Sequence, residues 1–164
     1  MIHEGAPAWA VWLEATPPAL WMRQALWAYP VAEIVHITGI AVLVGSVAMW
    51  DLRLLGLSRG LPVSQMARHL LPWAWGGFAV VGASGVTMFV AHPTEWSTNP
   101  VFPVKMGLIG VAWVNQFVFH RTVFRSVAQW DRDVPTPRPA RIAGATSLAV
   151  WVSVIACGRL LAYL

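Results

Sequence analysis

The stretch VAEIVHITGIAVLVGSVAMW, residues 31–50, decides the fold. A helix of that length, rising about 1.5 Å per residue, covers roughly 30 Å, the depth of a bilayer's hydrocarbon core. Its only ionisable side chains are Glu33 and His36, three positions apart and so on one face. Three more apolar runs have comparable reach, at residues 70–91, 104–119 with their flanks, and 142–164. With flanking residues the predicted spans are about 31–53, 66–91, 103–124 and 141–164. Across the chain 57% of residues are apolar and 11% charged, too few charges to coat a water-facing surface. The connections are short, so consecutive helices are expected to be antiparallel neighbours. The expected architecture is all-α: a four-helix up-down membrane bundle in a single domain, residues 1–164, preceded by an amphipathic, tryptophan-rich interfacial helix within residues 1–30.

The loop charges give an orientation. Arg53, Arg59 and Arg68 flank the first connection and Arg121, Arg125, Arg132, Arg138 and Arg141 the third, whereas the N-terminal segment carries only Arg23 and the second connection none. By the positive-inside rule the first and third connections face the cytoplasm, and both termini face outward from a bacterial inner membrane. The start, Met1-Ile2-His3-Glu4, lacks the basic n-region of a secretory signal peptide, so the spans are expected to be retained.

Ahead of the first span, Thr16-Pro17-Pro18 reads as a helix N-cap with proline in the first turn, and Tyr29-Pro30 reads as the close of that segment. Trp9, Trp12, Trp21 and Trp27 fit the headgroup level, as do Trp50, Trp73, Trp75 and Trp96, while Trp113 and Trp151 fall mid-membrane as packing residues. Gly76, Gly77, Gly82, Ala83, Gly85, Gly107 and Gly110 allow close helix approach, and equally leave room for a flat cofactor. The lone Cys157 excludes an intrachain disulfide. Although the pI is basic, the arginines sit at helix ends and no phosphate loop or nucleic-acid motif is present, so the lipid bilayer, and no nucleic acid, is the expected partner.

Ionisable groups inside a membrane are costly and mark paired sites or cavities. His36 lies 17 residues from Arg53, Lys105 16 from Arg121 and Arg159 18 from Arg141. These intervals place all three roughly 24–27 Å above the inner boundary. Glu33 is one turn from His36, Met88 and His92 share a stripe, and Cys157 lies near the same level. An outer polar cluster is expected, with Glu33 partly neutralising Lys105 and Arg159. A second group, His69 and His120 with Asp51, Arg53, Arg68 and Arg121, gathers at the inner face, where Asp51 and Arg53 also fit ion pairs with neighbours.

Imidazoles from different helices at one height suit six-coordinate b-type haem, with basic side chains at the propionates. In that reading His36 and His92 hold an outer haem beside Lys105, Arg159 and Glu33, and His69 and His120 an inner one near Arg53, Arg68 and Arg121. His92 stands roughly 10 Å above His36 on the helix rise, so the inner pair matches better. A copper reading takes His36, His92, Met88 and Met106 as ligands, with Cys157 nearby. A structural reading makes Glu33, His36, Lys105 and Arg159 an ion network that fixes packing, with the other histidines at the interface. No nucleophile with its base is readable, which favours an electron carrier, transport component or non-catalytic scaffold subunit over an enzyme. A periplasmic redox or copper partner is compatible with the outward site, and a homo-oligomer is left open.

Tyr29-Pro30, Glu33, His36, Gly39, Gly45, Asp51-Leu52-Arg53-Leu54-Leu55-Gly56, Trp151 and Gly158-Arg159 together resemble a family of bacterial four-helix membrane proteins of unknown function. More distantly the architecture is similar to the copper-resistance protein D membrane domain and to bis-histidine cytochrome b bundles. That likeness rests on helix count and histidine placement and implies haem or copper handling.

Overall fold

In the computed structural model, which describes residues 5–163, seven α-helices account for most of the chain. The reading of Met1-Ile2-His3-Glu4 falls outside the described residues. Two short helices come first, α1 (Ala8–Glu14) and α2 (Pro17–Gln24), followed by the long α3 (Ala28–Leu55) and α4 (Val63–Ala91). The short α5 (Pro93–Thr98) leads to α6 (Val101–Arg121), a 3-10 segment at Val123–Gln129 leads on, and α7 (Arg138–Leu160) closes the chain. The helices α3, α4, α6 and α7 are each long and apolar enough to cross a membrane, which makes this a multi-pass membrane protein.

The interfacial segment is thus two helices where the sequence reading had one. Thr16 sits at the N-cap of α2, but its hydroxyl donates backward to Leu13 O at 2.6 Å, closing α1 instead of capping α2. Tyr29-Pro30 also falls differently, in the first turn of α3, where a missing N–H costs nothing because that turn has no acceptor to serve. Pro72 lies inside α4. The carbonyl it leaves free is that of Arg68, which is exposed near the end of the helix, so the break is tolerated there.

The spans pack in the order α4, α3, α7, α6. The α3–α4 contact is backbone on backbone: a Cβ added at Gly77 would lie 2.7 Å from Leu43 N and 3.0 Å from Gly39 O. Against α7, Gly144 plays the same part, since a Cβ there would come within 3.1 Å of Asp51 O. The helices α4 and α6 instead meet through rings, Trp75 and Phe78 on Trp113 (5.1 and 5.3 Å between centroids) and Phe89 on Phe102 (5.4 Å). Where no hydrophobic force drives helices together, small residues and shape decide the contacts, and these glycines are placed accordingly.

The densest packing lies at the end bearing the arginine-rich connections, here called the loop face. Trp50, Leu54, Val63, Ala67, Phe119, Trp130 and Ala140 form one buried cluster there. Trp50, expected at the interfacial belt, is 2% exposed and packs edge-on against Phe119 and Phe124, because α3 continues past it to Leu55. The motif DLRLLG ends the helix. Gly56 adopts φ 107°, the left-handed region, and Leu57 N–H donates to Leu52 O at 3.1 Å while Gly56 N–H donates to Arg53 O at 3.0 Å. Arg53, 1% exposed, turns its guanidinium into the two connections. It donates to Leu61 O (2.7 Å), Arg59 O (3.3 Å), Asp131 O (3.0 Å) and Thr136 Oγ1 (3.3 Å). Asp131 in turn caps α4, accepting from Ser64 N–H at 2.7 Å and Ser64 Oγ at 2.9 Å, where Pro62 at the N-cap position has no side chain to do so.

At the opposite, terminal face, Arg23 donates to Ala91 O (2.6 Å) and Glu14 O (2.7 Å), and Glu14 accepts from Thr94 Oγ1. This clamp seats α1 and α2 across the ends of α4 and α5, with Ala10, Ala19 and Ala91 fully buried beneath.

Two substitutions test these contacts by thermal unfolding in detergent. Arg53→Ala should cost about 3–5 kcal/mol, the penalty of stripping a buried charged donor from its acceptors; Arg53→Lys should recover little of it, because one ammonium cannot span four acceptors. Gly77→Ala should cost about 1–3 kcal/mol by forcing α3 and α4 apart, whereas Gly76→Ala, with nothing within 4 Å of its Cβ position, should be neutral or slightly stabilising.

Candidate functional site

Near the terminal face the four spans each contribute one polar group to the same neighbourhood: His36 from α3, Ser84 from α4, Lys105 from α6 and Cys157 from α7. His36 lies over Gly85, whose added Cβ would be 3.2 Å from His36 Cε1, so a larger residue there would push the ring by a few tenths of an ångström. Its Nδ1 is 2.9 Å from Ser84 Oγ. The Ser84 hydroxyl has a single proton and donates it to Val80 O at 2.6 Å. With that proton on Val80 O the hydroxyl accepts from His36 Nδ1–H, the tautomer in which Nε2 carries the lone pair, and the Val81 backbone also bonds the ring.

Lys105 is half-buried and passes over Gly158, with Nζ 3.6 Å from the position of an added Cβ. It is in electrostatic reach of both His36 and Cys157. No carboxylate lies within ion-pair distance of it among the described residues. Glu33 is exposed one turn from His36 and acts on that imidazole at longer range. Arg159 leaves the cluster: it is exposed, bonds Tyr163 Oη, and lies over that ring at 4.6 Å.

The remaining candidates are distributed as follows. His92 stands at the C-terminal cap of α4, edge-on to Tyr29 at 5.5 Å and 3.9 Å from Glu95. It is seven residues beyond Gly85, so about 10 Å further along α4 than the His36 contact. It lines an open cavity of about 330 Å³ with Met22, Arg23, Tyr29 and Pro30. Met88 is buried one turn from Ser84 on the same face of α4, whereas Met106 is half exposed on α6. At the loop face His69 is exposed, while His120 bonds Gln116 O at 3.1 Å and packs on Phe119 and Phe124. These two histidines share no hydrogen bond or ring contact. Among the described residues no group of three or more His, Cys, Asp or Glu converges as a metal cage.

Ser84 is a candidate functional contact that the sequence reading passed over. A serine within a small-residue run reads as packing, and its partner comes from a helix 48 residues away. The one available signal was its position one turn below Met88 on a stripe already carrying His92.

A family model described as a family of unknown function, DUF6644, matches residues 25–164. The chain belongs to that family. The match begins just after α2, so the cap helices precede it while His36, Ser84, Lys105, Cys157 and the DLRLLG motif all fall within it. No curated protein and no solved structure matches the chain.

The tautomer is directly measurable. With ¹⁵N-labelled histidine in micelles, His36 should give a protonated Nδ1 and an unprotonated Nε2 at neutral pH. Ser84→Ala should return the ring to a tautomer mixture at a cost of about 1 kcal/mol in stability.

Proposed function

We propose that the chain is a redox- or metal-handling protein of a bacterial inner membrane, in which His36 would hold a b-type haem that would carry electrons. The observation behind this reading is the Ser84 contact. An imidazole held by hydrogen bonding at one nitrogen, with the other nitrogen's lone pair unengaged inside a helix bundle, is the arrangement that orients metal-ligating histidines. Lys105, half-buried with no carboxylate within ion-pair distance among the described residues, would meet a propionate. Haem would supply one-electron chemistry at its iron, and the chain would supply the ligand, the propionate cation and an apolar surround.

Bis-histidine ligation would require a second imidazole beside His36. Among the described histidines His92 is the candidate toward the same end, and its place against Tyr29 about 10 Å along α4 means it would have to move to serve. The reading accordingly rests on His36 first. The arginine count of the connections would put the loop face in the cytoplasm and the His36 site toward the periplasm, where a redox or copper-bearing partner could meet it. No bond-making chemistry is proposed.

Copper handling is the second reading. Met88 faces the bundle one turn from Ser84, and Cys157 lies beside Lys105, so thioether, thiol and imidazole are gathered at one end, a donor set suited to Cu(I).

Protein purified from haem-replete cells should show a sharp reduced-minus-oxidised Soret and alpha-band spectrum. His36→Ala should abolish it, Ser84→Ala should weaken haem affinity about 10–100-fold, and His92→Ala should leave it largely intact. A colourless preparation that retains copper by metal analysis would transfer the assignment to copper, and one with neither would overturn both.

A further inference from the structure

Asp51 opens the DLRLLG motif, 2% exposed and deep in the contact between α3 and α7. Among the described residues one of its carboxyl oxygens, Oδ2, has no hydrogen-bond partner, and neither has the indole N–H of the adjacent Trp50. The nearest cation in sequence cannot neutralise it. Residues two apart on a helix point to nearly opposite sides, and Arg53 is committed to the connections.

The helix α7, packed against Asp51, offers it a neutral surface. From α7 come Gly144, which admits the Asp51 backbone, and the buried Ser147 one turn on, whose hydroxyl adjoins the carboxyl. The titratable groups of the other elements at this level are turned elsewhere. His120 bonds Gln116 O and stacks on Phe124, Arg121 lies over Phe117 at 4.7 Å, and His69, Arg68, Arg138 and Arg141 are exposed. Asp131 is occupied in capping α4.

Directly above lies a cavity of about 80 Å³ among all four spans. Val47, one turn from Asp51 on the same face of α3, lines it, together with Gln116 and Ser147 amid Trp75, Trp113 and Trp151. Ser147 therefore adjoins both the carboxyl and the cavity. The volume suffices for a few water molecules, and a polar floor is the condition for such a space to be wet.

A buried, unpaired carboxylate costs several kcal/mol, and an apolar residue would fill the position without that cost. Among the described residues Asp51 caps no helix and joins no ion pair, so its charge has to be cancelled by something that arrives. The donors nearby are too few for a divalent metal ion. We propose that Asp51, with Ser147 and the cavity above them, is an intramembrane proton-binding site. The carboxylate oxygen forms an O–H bond with a proton delivered by cavity water, and on release that bond breaks and the proton returns to water. The site stands independently of the His36 reading, since 15 residues of α3, roughly 22 Å, separate the two groups.

The test is infrared spectroscopy on the full chain in lipid nanodiscs, with aspartate labelled by ¹³C. The sequence has three aspartates, and the other two, Asp131 and Asp133, lie in the third connection. A carboxylic-acid C=O band should be present at neutral pH, shift in D₂O, and diminish as the pH is raised above neutral. Asp51→Asn, which mimics the protonated form in shape, should remove the band. Should that variant fail to fold, the isotope shift in the wild-type chain identifies the band by itself. Absence of the band at neutral pH, or a band unmoved across the titration, would overturn the proposal; so would a band that sodium displaces at fixed pH, which would make the site one for a metal cation.

Discussion

The guanidinium of Arg53 is the constraint on which the loop face depends. A cation buried to 1% exposure must be surrounded by acceptors, and the acceptors it collects are carbonyls and a hydroxyl from two connections distant in sequence. By fixing Asp131 through its carbonyl, Arg53 also fixes the carboxylate that caps α4. The start of α4 then sets the register in which Gly77 meets Leu43 and Gly39, and Ser84 meets His36. The polar contact near the terminal face is thus positioned in part from the other end of the molecule.

The glycines divide by what surrounds them. Gly39, Gly77 and Gly144 are places where backbones or branched side chains touch, and a methyl group would have nowhere to go. A Cβ at Gly85 would crowd the His36 ring, whereas one at Gly158 would meet Lys105 in ordinary van der Waals contact. Gly45, Gly76, Gly82, Gly107 and Gly110 have open space at their Cβ positions, so in this chain alone they pack against nothing. Small residues in a membrane helix thus serve two different ends within the bundle here, and spacing in the sequence does not distinguish them.

Length and composition made the four spans legible, because a bilayer asks the same thing of every helix that crosses it. Counting helical rise also set His36 and Lys105 at a common level, and the two are in electrostatic reach of one another. The same count put Arg159 there, but rise gives height and not direction. Arg159 finds Tyr163 four residues on, along its own helix, and stays outside. Asp51 and Arg53 show the converse: adjacent in motif and both buried, they face opposite surroundings because two residues of helix turn the chain more than half way round. What the sequence could not carry was azimuth and partnership, which are set by glycine contacts between helices. Trp50 was misplaced for the same reason, its ring being claimed by Phe119 and Phe124 from a different helix and the 3-10 segment after it.

The two ends of the bundle are closed by charge-assisted hydrogen bonds, Arg23 with Glu14 at one and Arg53 with the connections at the other. Along its sides the closure is uneven. Backbone contacts join α3 to α4 and to α7, and Asn115 Nδ2 on α6 donates to Ala143 O on α7 at 3.0 Å. Between α4 and α6 there are aromatic contacts, Trp75 and Phe78 on Trp113 and Phe89 on Phe102, each worth about 0.5–1.5 kcal/mol beyond its buried area. Rings can rotate about two side-chain torsions without disturbing helix geometry, whereas a backbone contact such as Gly77 on Leu43 yields only if a whole helix moves. The seam between α4 and α6 is consequently the side of the bundle that opens at least cost, and the central cavity lies directly behind it, walled by Trp75, Phe78 and Trp113.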